Sequence, residues 1–363
     1  MQLNISTVYN INVLRGFSIL SILLLHAIVL TDEFNKIEIL KLISERLHMG
    51  IPFFFLISGY LISLSWEKVN GNTRSYLTKR IAKIVPLYII FLHINLIVYC
   101  YVESSYSDFE FIRNSPTEES VNIINYIIHL LFLQGFFANK IHTLLDGSWS
   151  IVNEVIFYII FPLLITRFKK IKGKIQLYCL SLILSILFII LIPKIYSEYS
   201  YYGFLSHFPT FCLGMISFEL LKNKKITLMI YKVRNHLYFL SIIFMIGLIK
   251  GDISLLGIHH LYSVCLFIIL ITTLTLKKKF NLFFSKVFEI FGKQTYALYF
   301  THLVLIKLWV FFSKIYLDLD FSHSLLINII ICTFLSYLIS NLIFNKIDLF
   351  FVKKIKERLG NEK

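Results

Sequence analysis

Ten times along the chain predominantly apolar residues run for roughly 15–23 positions, close to the length that carries a helix across roughly 30 Å of hydrocarbon at about 1.5 Å per residue. The runs fall at 11–30, 47–65, 84–101, 149–166, 175–193, 203–221, 236–250, 258–276, 290–312 and 324–345. An eleventh apolar stretch, NIINYIIHLLFLQGFF at 122–137, is shorter and carries His129 and Gln134, so an interfacial or re-entrant segment is expected there. The pattern predicts an all-α, polytopic integral membrane protein with about ten transmembrane helices.

Charge gives this reading a direction. With the amino terminus inside, the segments 66–83, 167–174, 222–235, 277–289 and 346–363 hold 25 basic residues, whereas the outer segments, edges included, hold eight. Cytoplasmic loops carry the excess of Lys and Arg, so both termini are expected in the cytoplasm. The net charge of +15 then reflects topology and contact with membrane lipid, and no nucleic-acid partner is implied. Hydrophobic residues make up 57% of the 363 and charged ones 16%, more apolar surface than one soluble core could bury.

Other signals mainly exclude. Cys100, Cys179, Cys212, Cys265 and Cys332 stand singly in apolar runs, which argues against a disulfide framework or a zinc site and for ordinary buried thiols. The first run lacks a basic residue before Arg15 and a small-residue cleavage site, so it is expected to stay as a helix. No repeat and no Gly/Ser-rich linker divides the chain, giving one membrane domain at 1–345 and a basic cytoplasmic tail at 346–363. The longest loop, 102–148, holds six acidic and two basic residues and is placed outside, where a substrate-facing segment belongs.

Ionisable residues inside apolar runs point to chemistry. Arg15 and His26 are eleven residues apart, three helical turns plus about 20°, so they share one face of the first span at different depths. An arginine in a span costs about 2.5–3.5 kcal/mol and faces a bundle interior or a watery cavity. Glu154, five residues into the fourth span, stands at a depth similar to that of His26, and a carboxylate beside an imidazole is a recurrent general-base arrangement. The residues alone also fit a plainer picture, in which Arg15 snorkels to headgroups and His26 and Glu154 lock neighbouring helices. They fit a secondary transporter or flippase as well, although no inverted pair of broken helices is visible.

Five stretches, taken in order, resemble the acyltransferase-3 family of bacterial membrane acyltransferases: LRGFSILSILLLHA (14–27), GIPFFFLISGYLI (50–62), KRIAKIVPLY (79–88), SWSIVNEVIFYIIFPLL (148–164) and GKQTYALYFTHLVL (292–305). The resemblance runs from the first span through the ninth. It places Arg15, His26 and Glu154 on positions linked to function, and Arg80, Tyr296 and His302 on recurrent ones. The chain departs from the family pattern at Lys83, where arginine is frequent, at Val155, where a second acid is usual, and at Leu303 and Val304 after the histidine.

The resemblance implies an O-acetyltransferase of the bacterial inner membrane that uses cytoplasmic acetyl-CoA as donor, with no metal. The sugar hydroxyl of a surface polysaccharide or lipid-linked glycan, such as lipopolysaccharide O-antigen, is the expected acceptor; exopolysaccharide, peptidoglycan or a small molecule are alternatives. Arg74, Lys79, Arg80 and Lys83 suit the phosphates of CoA, though plain positive-inside charge explains them equally. His26 is expected to deprotonate the acceptor or to carry the acyl group briefly, with Glu154 orienting the imidazole and Arg15 helping to hold the donor. Ser58, Trp149, Tyr296 and His302 are expected on the substrate side; the residues alone make Ser58 and Gly59, which interrupt the aromatic second span, a small-residue packing contact, and His302 a satisfied interior hydrogen bond. Some relatives continue into an extracytoplasmic hydrolase-like domain; any second acyl-transfer step is therefore expected to be absent here or supplied by a partner protein.

Overall fold

A computed structural model describes residues 4–29, 37–105, 121–145, 147–247, 258–276, 278–280, 283–317, 325–348, 350, 353 and 354. Among these the regular structure is helical and no strand occurs. The helices are α1 (Ile5–Val29), α2 (Glu38–Leu47), α3 (Gly50–Lys68), α4 (Thr73–Ser105), α5 (Ile123–Leu130), α6 (Trp149–Arg167) and α7 (Ile171–Leu191). They continue with α8 (Ser197–Tyr202), α9 (Phe204–Lys222), α10 (Lys224–Gly247), α11 (Ile258–Leu274), α12 (Ser285–Lys293), α13 (Thr295–Tyr316) and α14 (Leu325–Ile343). Where its residues are described, each apolar run overlaps a helix, the run at 290–312 being divided between α12 and α13. Seven stretches among the described residues are long and apolar enough to cross a bilayer: Ile5–Val29, Glu38–Lys68, Thr73–Tyr101, Trp149–Arg167, Ile171–Leu191, Tyr199–Lys222 and Thr295–Ser313. The chain is thus an all-α, multi-pass membrane protein.

The eleventh stretch forms only the eight-residue α5, about 12 Å long and too short to span. The side chain of Asn122 caps it by accepting the Asn125 N–H at 2.8 Å. One other expectation needs correction. The basic residues 74–83, placed in a loop, lie on α4, which starts at Thr73 because helix-forming polar residues extend the apolar helix past the hydrocarbon boundary. Ser58 and Gly59 lie inside α3, which is continuous from Gly50 to Lys68, and Gly59 makes the small-residue packing contact expected there. Of the thiols, Cys212 and Cys265 are buried as expected, but Cys100 and Cys179 are exposed; the side chain of Cys332 lies outside the described residues.

The chain divides into two compact units, Met1–Leu20 with Met49–Leu77 and Asn153–Lys293, and Ser21–His48 with Thr78–Val152 and Gln294–Lys363. In the first unit, α3, α9 and α11 pack with α1 around Leu14, Phe53, Leu56, Tyr60, Leu213 and Leu270. Gly59 and Gly214 let α3 and α9 meet backbone to backbone: a Cβ at either would strike main-chain atoms of the other helix. Helix α7 shows how such a unit suits lipid. Its Lys174, Leu177, Ser181 and Ser185, three or four residues apart, are buried, while Ile183, Leu187, Ile190 and Leu191 are exposed.

Polar side chains hold the second unit together. Thr301 of α13 pairs with Ser340 of α14 at 2.8 Å, and Gln294 donates to Asn341 at 2.8 Å. The segment 121–145 is tied to α4 through buried bonds. The Tyr88 hydroxyl donates to the His129 carbonyl at 3.0 Å, the Gln134 amide donates to the Tyr88 oxygen at 2.9 Å, and the Asn95 amide donates to the Leu144 carbonyl. Buried polar groups need partners, and this irregular segment finds them within its own unit.

Candidate functional site

Helix α1 carries both Arg15 and His26. Arg15, in the first unit, is buried although it is an arginine in an apolar helix. His26, in the second unit, is half-buried, and its Nδ1 lies 2.9 Å from Nε2 of the fully buried His302. The two rings stack with centroids 5.1 Å apart and planes 23° from parallel. His302 in turn places Nδ1 3.0 Å from the Leu298 carbonyl one turn earlier on α13. The next aromatic on that helix, Tyr299, has its ring 5.7 Å from that of His302 and donates its hydroxyl to the Gly147 carbonyl at 2.6 Å. Gly147 takes φ of +72° and a Cβ there would come within 2.8 Å of Leu303, so this close approach requires glycine.

Glu154 belongs to the first unit and is fully buried in α6. Ser58 of α3 donates its hydroxyl to Oε1, and Tyr158, one turn along α6, donates to the same oxygen at 2.7 Å. An aromatic layer lies beside this carboxyl group: Phe157 stacks on Phe211 with centroids 4.3 Å apart, and Phe55 packs on Phe211 at 4.7 Å. A carboxyl group buried among rings needs donors, and Ser58 and Tyr158 supply them.

The four basic residues expected to hold CoA lie on different sides of α4. Lys79, Arg80 and Lys83 fall within about 100° of one another around α4, whereas Arg74 is about 120–180° away from them. Arg74 and Lys79 are exposed and Arg80 and Lys83 half-buried. The Lys83 ammonium stands 4.9 Å from the centroid of the buried Tyr296 ring, a cation–π contact that fixes both. Trp149 is buried at the start of α6. Among the described residues no cluster of three or more His, Cys, Asp or Glu could hold a metal ion.

Three residues escaped sequence reasoning. Tyr158 shares a helix face with Glu154 at i+4, a spacing that could have suggested it. Ser150 meets the Tyr299 hydroxyl at 2.5 Å, a contact across 149 positions that leaves no local trace. Lys307, only 3% exposed, borders a cavity of about 10 Å³ with Asn95, Ser148 and Tyr299. It was visible by the signal that marked Arg15, an ionisable residue inside an apolar run.

The sequence profile of the acyltransferase domain, acyltransferase-3, matches residues 8–344 of the chain. A protein of Acidianus two-tailed virus whose printed name is "Putative acetyltransferase ORF330" is 25% identical over 305 residues, covering 81% of this chain and 82% of that one. An uncharacterized protein of Haemophilus influenzae is 29% identical over 170 residues, 44% of this chain; the match spans 65% of the Haemophilus protein's length. No solved structure matches.

Proposed function

Because the chain belongs to the acyltransferase-3 family, we propose that it is a membrane O-acetyltransferase that moves acetyl from cytoplasmic acetyl-CoA to a sugar hydroxyl of a surface polysaccharide or lipid-linked glycan, with lipopolysaccharide O-antigen as the leading acceptor. The reading places the protein in a bacterial inner membrane. The observation that carries it is His26, a half-buried imidazole in a helix long and apolar enough to cross a bilayer, held against a second imidazole at 2.9 Å. An imidazole is the side chain best matched to taking and returning a proton near neutral pH.

The chemistry then runs as follows. His26 takes the proton of the acceptor hydroxyl while its oxygen bonds the acetyl carbon; the carbon–sulfur bond breaks, and the imidazolium returns the proton to the departing CoA thiolate. Lys79, Arg80 and Lys83 hold CoA phosphates by charge-assisted bonds; Arg15, buried in α1, is assigned to the donor by its place in the family pattern alone. Ser58, expected on the substrate side, donates its hydroxyl to Glu154.

The test is transfer of radiolabelled acetyl from acetyl-CoA into surface polysaccharide, using membranes that contain the wild type or His26→Ala at matched expression. Label entering glycan only with the wild type supports the reading. Equal labelling with both removes His26 from the mechanism, and no labelling with either overturns the donor or the acceptor.

A further inference from the structure

An imidazole acts as a base through one nitrogen at a time, and the contacts of His302 identify which nitrogen of a neutral His26 carries the lone pair. The Leu298 carbonyl can only accept, so the His302 Nδ1 that stands 3.0 Å from it carries the hydrogen. In a neutral ring this leaves the lone pair of His302 on Nε2. That atom faces Nδ1 of His26 at 2.9 Å, so the His26 Nδ1 carries the hydrogen and donates. A neutral His26 with hydrogen on Nδ1 has its lone pair on Nε2, the atom on the far side of the ring from His302. The unconstrained histidine side chain prefers the opposite tautomer, with the hydrogen on Nε2, so the arrangement is imposed by the protein.

We propose that His302 is a positioning residue that holds His26 as the Nδ1–H tautomer, making Nε2 of His26 the atom that takes the acceptor proton. This rests on the acyltransferase reading above and deepens it. The partner is rigid: His302 is fully buried, its ring stacks on that of His26, and the bond to Leu298 lies within one turn of α13. Once His26 Nε2 has taken the proton, the Nδ1–H still points at a lone pair on His302, so the new positive charge is shared along the chain of bonds that ends at the Leu298 carbonyl. A group that orients the base and stabilises its charged form is the recurrent third member of such sites.

The experiment uses the full chain in lipid nanodiscs with ¹⁵N-labelled histidine, the ring signals being assigned by His26→Ala and His302→Gln. Nitrogen shifts separate a protonated from an unprotonated ring position. The expected result is a protonated Nδ1 and an unprotonated Nε2 at His26 in the wild type, and the reverse in His302→Leu. His302→Leu is also expected to lower kcat for acetyl transfer by about 10²–10⁴-fold with KM for donor and acceptor little changed. His302→Gln, whose amide can donate to the Leu298 carbonyl and accept from His26 Nδ1, should restore most of the rate. A wild-type His26 protonated on Nε2, or wild-type kcat in His302→Leu, overturns the proposal. If His302→Leu does not fold, the wild-type tautomer and the His302→Gln rate decide it. Absence of acetyl transfer by the wild type would count against the acyltransferase reading while leaving the tautomer measurement to stand separately.

Discussion

Gly59 and Gly214 face each other across α3 and α9, each against the backbone of the other helix. Gly59 follows the serine that donates to Glu154, so the same close approach that joins the helices sets where that hydroxyl stands. Adding a methyl group at either glycine forces the backbones apart. Gly59→Ala and Gly214→Ala are each expected to lower stability by about 1–3 kcal/mol, read as a lower midpoint of thermal unfolding in detergent. An unchanged midpoint would show that α3 and α9 can separate without cost.

The carboxyl group of Glu154 takes hydroxyl donors from two helices. A side-chain hydrogen bond contributes about 0.5–1.5 kcal/mol, so Tyr158→Phe should lose about that much stability, measured by denaturant unfolding. In Ser58→Ala the Tyr158 bond remains, and the double variant should lose more than either single one. If Tyr158→Phe unfolds like the wild type, its hydroxyl is not holding the carboxyl group.

Around α4 the basic residues divide by side. Arg80→Ala and Lys83→Ala are expected to raise the KM for acetyl-CoA about tenfold or more, the loss of one charge-assisted bond, with a weaker effect on kcat. Arg74→Ala, on another side of the helix, should change KM less than about twofold. The comparison is made by initial rates at varied acetyl-CoA, and a large effect confined to Arg74 would reject the assignment.

His129 supplies a pH dependence outside the membrane-spanning helices. Burial lowers its pKa from 6.5 to about 4, with the charge of Lys140 adding to the shift and a hydrogen bond from the ring to the Lys140 backbone carbonyl opposing it. Its folded value lies below its unfolded value, so the neutral ring's contribution is fully present above pH 6.5 and declines as the pH falls to about 4, where the folded ring also charges. The loss across that window is at most about 3 kcal/mol. Thermal unfolding from pH 7 to 4 should show this slope in the wild type and a shallower one in His129→Gln.

What the sequence revealed and what it withheld follow from the range of the interactions. Helix positions depend on runs of neighbouring residues, so all ten apolar runs met helices. Their ends did not match, as at α4 and at α10, which begins at Lys224 rather than 236, because helix propensity does not stop where hydropathy does. His26 and Glu154 stood out as ionisable groups in apolar segments. His302 and Ser58 were named too, but their pairing was not: His302 is 276 positions from His26 and Ser58 is 96 from Glu154, contacts that only the folded chain reveals. The separate side of Arg74 was within reach of the helical period, and was missed because the helix had been started at 84 instead of Thr73.

The first half of α1 is completed by residues made almost at the end of the chain. The buried Asn10 donates to the Lys278 carbonyl at 3.2 Å and accepts the Phe280 N–H at 2.7 Å. The Tyr9 hydroxyl reaches Ser285 at 3.2 Å, and Gly16 and Gly292 admit the backbones of α12 and α1. During synthesis, therefore, the first helix enters the membrane with a polar amide whose partners do not yet exist, and unmet polar groups are costly in hydrocarbon. Final seating of α1 must be a late event in assembly, closing a loop of more than 260 residues. A nascent chain stopped before Lys278 holds this helix in place only provisionally.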